Sequence, residues 1–518
     1  MKAFAFDRQD ETRVLVDGRW QELPENVRLT WQGEELYLQA EHTRIESIGL
    51  RWRTDFVPGA RTFGDAWERG YGDLGWTVLR PERIMPWYML VKEPTGCSFL
   101  AVKTGCAAFI GWMADSHSVT LLIDTRSGCE GVLLGQRALK LGTFRFVWNV
   151  NEEPYAFLCE QVRQLCDHPL MPKSPVYGGN NWYYAYGRSS AEQILSDTAF
   201  IAEMAEGLAN RPFMVIDDGW QLNADHQETN GGPWIGNTRF GKMAELADRM
   251  KGMGVHPGLW LRPLLLDAPA DPSWVMREEK IGVTLDPSVP AVLDFIRETV
   301  HQLHGWGFEL LKHDFTTYDL MGGWGKDAHG DRFGQPSRVH DTSRTNAELL
   351  LALYRAIREG AGNAMVLGCN TVSHLAAGLV EIQRTGDDTS GRAWERTRRM
   401  GINTLAMRMP QHGAFYASDA DCVGSTEMVP WELNAQWLHL LAHSGTPLFV
   451  SADAACQSEI QRAAIREAFR VASVPHPAAR ALDWEDTDCP TRWSLFDGEH
   501  RYCWTDWYTP GTRSVSWR

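Results

Sequence analysis

Seven short apolar runs in this 518-residue sequence each end in residues that can do chemistry. The ends read Asp217-Asp218-Gly219-Trp220-Gln221, Trp260-Leu261-Arg262, Lys312-His313-Asp314, Cys369-Asn370, Arg384-Thr385-Gly386-Asp387-Asp388, Asp419-Ala420-Asp421 and Asp453. The inventory is a set of carboxylates interleaved with Lys, Arg and Trp. Two carboxylates facing each other across a sugar can break a glycosidic bond: one attacks the anomeric carbon, the other protonates the leaving oxygen and later activates water. Asp314 and Asp387 are the expected pair, Asp314 as nucleophile and Asp387 as acid/base, with Asp388 the second choice for the acid. Lys312 lies two residues before Asp314, so on a strand both side chains share a face and the ammonium favours an ionised Asp314. Asp388 beside Asp387 would raise the acid's pKa by like-charge repulsion. No His or Cys cluster has metal-ligand spacing, and the glycine-rich stretch 322–334 lacks the Gly-Lys-Ser/Thr ending of a phosphate loop. The expected chemistry therefore needs no cofactor and no metal.

Those run ends gain meaning from the elements that carry them. From residue 176 an apolar run is followed by a helical stretch, and the alternation repeats eight times; the fifth connection, around SHLAAGLV, is short. Helical segments such as VPAVLDFIRETVHQLHGWG and NAELLLALYRAIREGAG repeat their apolar residues at helical spacing. Eight such units over about 300 residues are the pattern of a (β/α)8 TIM barrel, whose active site lies at the C-terminal ends of the strands. Strands four and six share a parity, so Asp314 and Asp387 can converge over the barrel mouth. Residues 1–170 read instead as short alternating runs separated by Gly, Asp and Pro, the pattern of a β-sandwich, with a helix at 155–166 leading out. Residues 167–175 hold three prolines and mark the boundary. The expected organisation is an α/β protein: an N-terminal β-sandwich domain (1–170), a catalytic barrel (176–475) and a short C-terminal β segment (479–518). The loop 316–344 after Asp314 is long enough to form a lid or a subsite.

The bulk composition narrows the partners. A net charge of −15 argues against nucleic acid and anionic membrane and is compatible with a neutral oligosaccharide or glycoside. No run approaches the roughly 18 apolar residues of a membrane span, and the start MKAFAFDRQDETRVLV has no signal-peptide core. Ten scattered cysteines, none in a C-x-x-C pair, fit reduced thiols in a cytoplasm. The composition leaves self-association open. The 23 Trp are well above ordinary usage; most are expected in the core, with some stacking on sugar faces.

At the run ends the sequence resembles the α-galactosidase clan of glycoside hydrolases, and especially raffinose synthases and seed-imbibition proteins. FMVIDDGWQ (213–221) is similar to the strand-two motif, LLKHDF (310–315) to the K-x-D nucleophile motif, and RTGDDTS (384–390) to the R-x-S-D-D acid/base motif. GGNNWYYAYG (178–187) resembles the strand-one G-W-N-T-W segment, and GLWLRP (258–263) the strand-three G-L-W-x-x-P segment. The resemblance spans roughly 176–455 in the right order. It implies retaining, exo-acting hydrolysis of an α-linked galactoside, with Asp387 rather than Asp388 as the acid. It implies substrate contacts from Asp217, Asp218, Trp220, Lys312, Arg262, Trp260, Trp182, Cys369, Arg384 and Asp388. Transglycosylation of the raffinose-synthase type, action on an α-N-acetylgalactosaminide or another α-glycoside, and a non-catalytic sugar-binding barrel are the alternatives. The sequence departs from the clan at CNTVSH (369–374), where a glycine-rich run often stands, and this leaves the exact sugar open. Asp419 and Asp421 stand between site and barrel-mouth roles, His412 and His443 read as structural, and Trp234 and Trp324 as candidate subsite walls.

Overall fold

The computed structural model describes residues 8–226, 229–327 and 337–505. Residues 8–150 form two large antiparallel sheets and a two-stranded one, Arg126–Ser127 with Glu130–Gly131. One runs in the order Arg19–Gln21, Glu11–Val16, Ser47–Arg53, Ser118–Asp124, Phe109–Ala114, Met85–Pro86. The other runs Val27–Gln32, Glu35–Ala40, Leu139–Val150, Gly96–Val102, Tyr88–Glu93, Arg61–Gly64, Thr77–Val78. Alternation makes them two-faced: in Ser47–Arg53 the side chains of Ile48, Leu50 and Trp52 are buried while Arg51 and Arg53 face water. Trp112 of one sheet meets Phe144 and Phe146 of the other edge-on at 6.2 and 5.6 Å, which fixes the sheets face to face. The helix Pro154–Arg163 follows, its N-terminus capped by Glu153.

The second part is a curled parallel sheet of nine strands: β1 (Tyr177–Asn180), β2 (Phe213–Ile216), β3 (His256–Leu261), β4 (Leu310–His313), β5 (Met365–Gly368), β6 (Ile382–Arg384), β7 (Ala417–Asp419), β8 (Cys422–Ser425) and β9 (Leu448–Ala452). Their order is β7-β6-β5-β4-β3-β2-β1-β9-β8. The two edge strands β7 and β8 are successive segments of one run, parted only by Ala420 and Asp421, where Asp421 takes a left-handed φ of 71°. Most strands are almost wholly buried; the helices Ala191–Met204, Pro290–Gly305, Asn346–Ala361 and Trp431–His443 lie between them in sequence, and Glu459–Ala472 follows the last. The helix Asn346–Ala361 starts at a complete capping box, Thr345 with Glu348, and packs on Pro290–Gly305.

Two features depart from the sequence reading. The seventh run holds β7, and a further strand of the same sheet, β8, follows it directly after the Asp421 kink. A small antiparallel sheet, Leu265–Leu266, Val275–Glu278 and Val283–Leu285, is inserted after β3. Near the C-terminal end a three-stranded sheet, Arg480–Ala481, Arg492–Leu495 and Gly498–Arg501, packs beside Trp431–His443 through contacts such as His439 Nδ1 to Tyr502 Oη at 2.8 Å. The run TRSVSW, and residues 328–336 of the expected lid, lie outside the described residues. Among the described residues no helix is long and apolar enough to cross a membrane, and all ten cysteines are free.

Candidate active site

Parallel pairing sets β4 beside β3 in register, Trp260 opposite Lys312 and Leu261 opposite His313, so Asp314 emerges one residue past the last paired residue of each strand. Its N–H donates to Leu261 O at 2.9 Å. Phe315 then adopts a left-handed φ of 61°, a strained conformation for an aromatic residue. That turn folds the Phe315 N–H back onto Asp314 Oδ1 at 2.7 Å. The other oxygen, Oδ2, accepts the Trp260 indole N–H at 3.1 Å, and Trp260 O in turn accepts the Trp220 N–H at 2.9 Å. Both oxygens of Asp314 are thus oriented by neutral donors.

Asp387 follows β6 and is held from three sides. Oδ1 accepts Arg69 Nη2 at 2.9 Å and the Asp388 N–H at 2.8 Å; Oδ2 accepts Arg396 Nη2 at 2.8 Å. Asp388 accepts Arg384 Nη2 at 3.1 Å, with Arg69 Nη1 at 3.8 Å. Burial opposes its ionisation, but the guanidiniums of Arg384 and Arg69 and the Lys312 ammonium outweigh that and hold its carboxyl at about 2.

Asp314, Asp387 and Asp388 share one cleft of about 420 Å³ with Arg69, Tyr71, Phe315, Trp324, Lys326, Asn370 and Arg396. Beneath it lies a buried polar layer. Lys312 Nζ sits 2.6 Å from Asp217 Oδ2, which also accepts Asn180 Nδ2 at 2.7 Å. Burial works against the Lys312 charge, but the Asp217 carboxylate outweighs it and holds the ammonium well above its ordinary value. Asp218, held by Gln221 Nε2 at 2.7 Å, is pushed up to about 7, chiefly by burial and also by the Asp217 charge. Arg384, 1% exposed, bonds Asp421 at 2.7 Å and reaches the Cys369 thiol at 3.5 Å.

The structure thus gathers Asp314, Asp387 and Asp388 on one cleft and stacks Asp217, Lys312, Trp260, Cys369 and Arg384 behind them. It corrects other expectations. Trp220 is fully buried against Trp234 and Trp306 and backs the wall through Trp260, so its ring is not a stacking surface. Arg262 is committed to a neighbour: Asp319, buried one turn into the helix Thr316–Met321, needs a counter-charge and takes the guanidinium in a fork of 2.5 to 3.2 Å, while the guanidinium carbon lies 4.2 Å from the Phe315 ring centre. Trp182 packs 5.6 Å from Tyr186. Asp421 serves the β6–β8 junction through Arg384, Thr389 and Tyr183, and Asp419, pushed up to about 6 by burial, accepts the Asp421 N–H. His412 accepts the Ser418 N–H, and His443 sits on the C-terminal sheet; both are structural contacts. Asp453 caps the short helical turn Ala454–Cys456.

Sequence reasoning missed Arg69, Tyr71, Phe315, Lys326 and Arg396. The one signal for the first two is the stretch DAWERGYGDLGW (65–76), dense in aromatic, charged and glycine residues and lacking the alternation of the strands around it.

The fold is that of solved α-galactosidase structures. The α-galactosidase TtGalA from Thermus thermophilus, in complex with p-nitrophenyl α-D-galactopyranoside, superposes with a TM-score of 0.61 at 18% identity, covering 95% of this chain and 98% of that one. The GH36 α-galactosidase AgaA from Geobacillus stearothermophilus superposes with a TM-score of 0.59 at 13% identity, over 90% of this chain and 73% of that one. In sequence, this chain is 26% identical to AgaA over 195 residues, 35% of its own length and a quarter (25%) of the relative's. The chain resembles α-galactosidase-like glycoside hydrolases in both comparisons. No protein-family model matches it.

Proposed function

We propose that this chain is a retaining, exo-acting glycoside hydrolase that removes terminal α-linked galactose, built on a (β/α)8 barrel whose seventh strand is split between β7 and β8. The observation that carries the reading is the cleft itself. Two carboxylates at the C-terminal ends of β4 and β6 face one space, and they differ in their partners. Asp314 accepts neutral N–H donors and, among the described residues, forms no ion pair; Asp387 is held by two guanidiniums. The first is oriented to attack carbon; the second is held beside it to exchange a proton.

In the first step an Asp314 oxygen forms a bond to the anomeric carbon while the bond to the leaving oxygen breaks, and Asp387 delivers a proton to that oxygen. In the second, Asp387 takes a proton from water as the water displaces Asp314, so the product keeps its anomeric configuration. Asp217, with Asp218 beside it, presents acceptors for sugar hydroxyls, and Lys312 fixes Asp217 in place. The names of the similar proteins, TtGalA with its aryl α-galactoside and AgaA, support α-galactose as the sugar. Ten free thiols support a reducing compartment such as the cytoplasm.

The test is hydrolysis of p-nitrophenyl α-galactoside, α-N-acetylgalactosaminide, α-glucoside and β-galactoside by the wild type and Asp314→Ala. The expected result is turnover of the α-galactoside, lost in the variant. Folded wild-type protein inactive on the α-galactoside, or an equally active Asp314→Ala, would overturn the proposal.

A further inference from the structure

Residues 65–71 belong to the antiparallel sheets by sequence but reach the carboxylates. Gly70 forms a parallel bridge with Gly386: its N–H donates to Thr385 O at 2.8 Å, and the Asp387 N–H donates to Gly70 O at 2.9 Å. The segment thus extends the sheet by one residue just where Asp387 leaves β6. Both glycines are required by space, since a Cβ on Gly386 would stand 2.0 Å from Met400 O and one on Gly70 2.9 Å from Thr404 Cγ2. Arg408 locks the arrangement. This guanidinium, almost fully buried, bonds Asp65 Oδ1 at 2.8 Å on the strap and Thr385 O at 2.8 Å on the end of β6.

We propose that Arg69 is a positioning residue for Asp387, donated by this strap; the inference rests on the reading of Asp387 as the acid/base. Arg69 is 6% exposed. Besides Asp387 Oδ1, its Nη2 reaches the Asn370 side-chain oxygen at 3.1 Å when that amide is oriented to satisfy both of its neighbours, Arg69 and Glu68. Its guanidinium carbon lies 4.8 Å from the Trp324 ring centre. Glu68, fully buried behind it, accepts the Gly325 N–H at 2.7 Å and ties the strap to the loop after β4. Arg69 is therefore fixed on several sides, and so is the Oδ1 that it holds.

The two arginines are not equivalent. Arg396, on Oδ2, has 19% of its side chain exposed, against 7% for Arg69. Oδ2 is the oxygen that exchanges a proton with the leaving group, Arg396 giving way on substrate entry, while Arg69 keeps the carboxyl group from rotating about its Cβ–Cγ bond. Without Arg69, Oδ1 keeps the Asp388 N–H but loses its charged donor, and the carboxyl group is aimed less firmly.

The test compares Arg69→Met, Arg69→Lys and wild type on two substrates: p-nitrophenyl α-galactoside, whose leaving group needs little protonation, and raffinose, whose leaving group needs it. General acid assistance contributes on the order of 100-fold or more. Arg69→Met is expected to lose about that factor in kcat on raffinose and less than about tenfold on the aryl galactoside, with KM within about threefold. Azide is expected to raise its aryl turnover, and Arg69→Lys to recover about tenfold on raffinose. Equal losses on both substrates, or no loss on raffinose, overturn the positioning role. If Arg69→Met does not fold, the same substrate split in Arg69→Lys decides the matter. A wild type silent on every α-galactoside overturns the reading of function and this role with it.

Discussion

Replacing Lys312 by Met isolates what the buried layer under the cleft contributes. Lys312 and Asp217 are 9% and 4% exposed in their side chains and 2.6 Å apart. Removing one partner of a buried pair costs about 3–5 kcal/mol, because the other charge stays behind. Asp217 would keep the Asn180 amide and the Asp218 N–H, at 2.7 and 2.9 Å, which places the loss near 3 kcal/mol, the lower end of that range. With an unfolding entropy of about 2.1 cal/mol/K per residue, a cooperative unit the size of this chain would lose about 3 °C in Tm. Asp217→Asn in the same background removes the stranded charge, so the double variant should be more stable than the sum of the single losses predicts, by about 2 kcal/mol. If Asp217 binds substrate hydroxyls, kcat/KM on p-nitrophenyl α-galactoside should fall by a factor on the order of 100 in Lys312→Met, equivalent to about 3 kcal/mol. Thermal unfolding and steady-state kinetics on the four members of the cycle give every quantity needed. Additive stabilities, or a Lys312→Met enzyme with wild-type Tm and kcat/KM, would refute the argument.

Asp387→Ala should lose turnover of raffinose by a factor on the order of 1,000. Its loss on p-nitrophenyl α-galactoside should be far smaller, and azide should recover part of it as a glycosyl azide; equal losses on both would move the acid elsewhere. Asp218 makes a prediction about pH. Its carboxyl is pushed up to about 7 in the folded protein against about 3.9 unfolded. A proton is therefore taken up on folding, and the contribution to stability is full below about pH 4 and lost as pH rises through 7. Asp218→Asn should accordingly gain Tm relative to wild type on going from pH 5 to pH 8, as thermal melts in matched buffers would show; an unchanged difference would contradict the shift.

Much of this architecture is legible in the sequence for simple reasons. Strands of a parallel sheet are buried on both faces, so each reads as an apolar run, and the residue that ends the run must face the strand ends; Asp217, Asp314 and Asp387 were found that way. The split of the seventh strand was hidden because the kink at Asp421 is made by Arg384 and Tyr183, residues distant in sequence. Trp220 was misread for a related reason. Position at a strand end says that a side chain starts near the site, but its final direction depends on neighbours such as Asp319 and Trp260. Arg69 was out of reach, since its carboxylate partners Asp387 and Asp388 lie more than 300 residues downstream and local pattern carries no trace of that pairing.

The central claim is that Asp314 carries the sugar between the two steps. The direct measurement is intact-protein mass spectrometry, followed by peptide mapping, after incubation with a slowly turned-over fluorinated α-galactosyl fluoride. One fluorogalactosyl group on the peptide containing Asp314, absent from Asp314→Ala, is the result this account predicts. A label on any other carboxylate, or one that persists in Asp314→Ala, would contradict it.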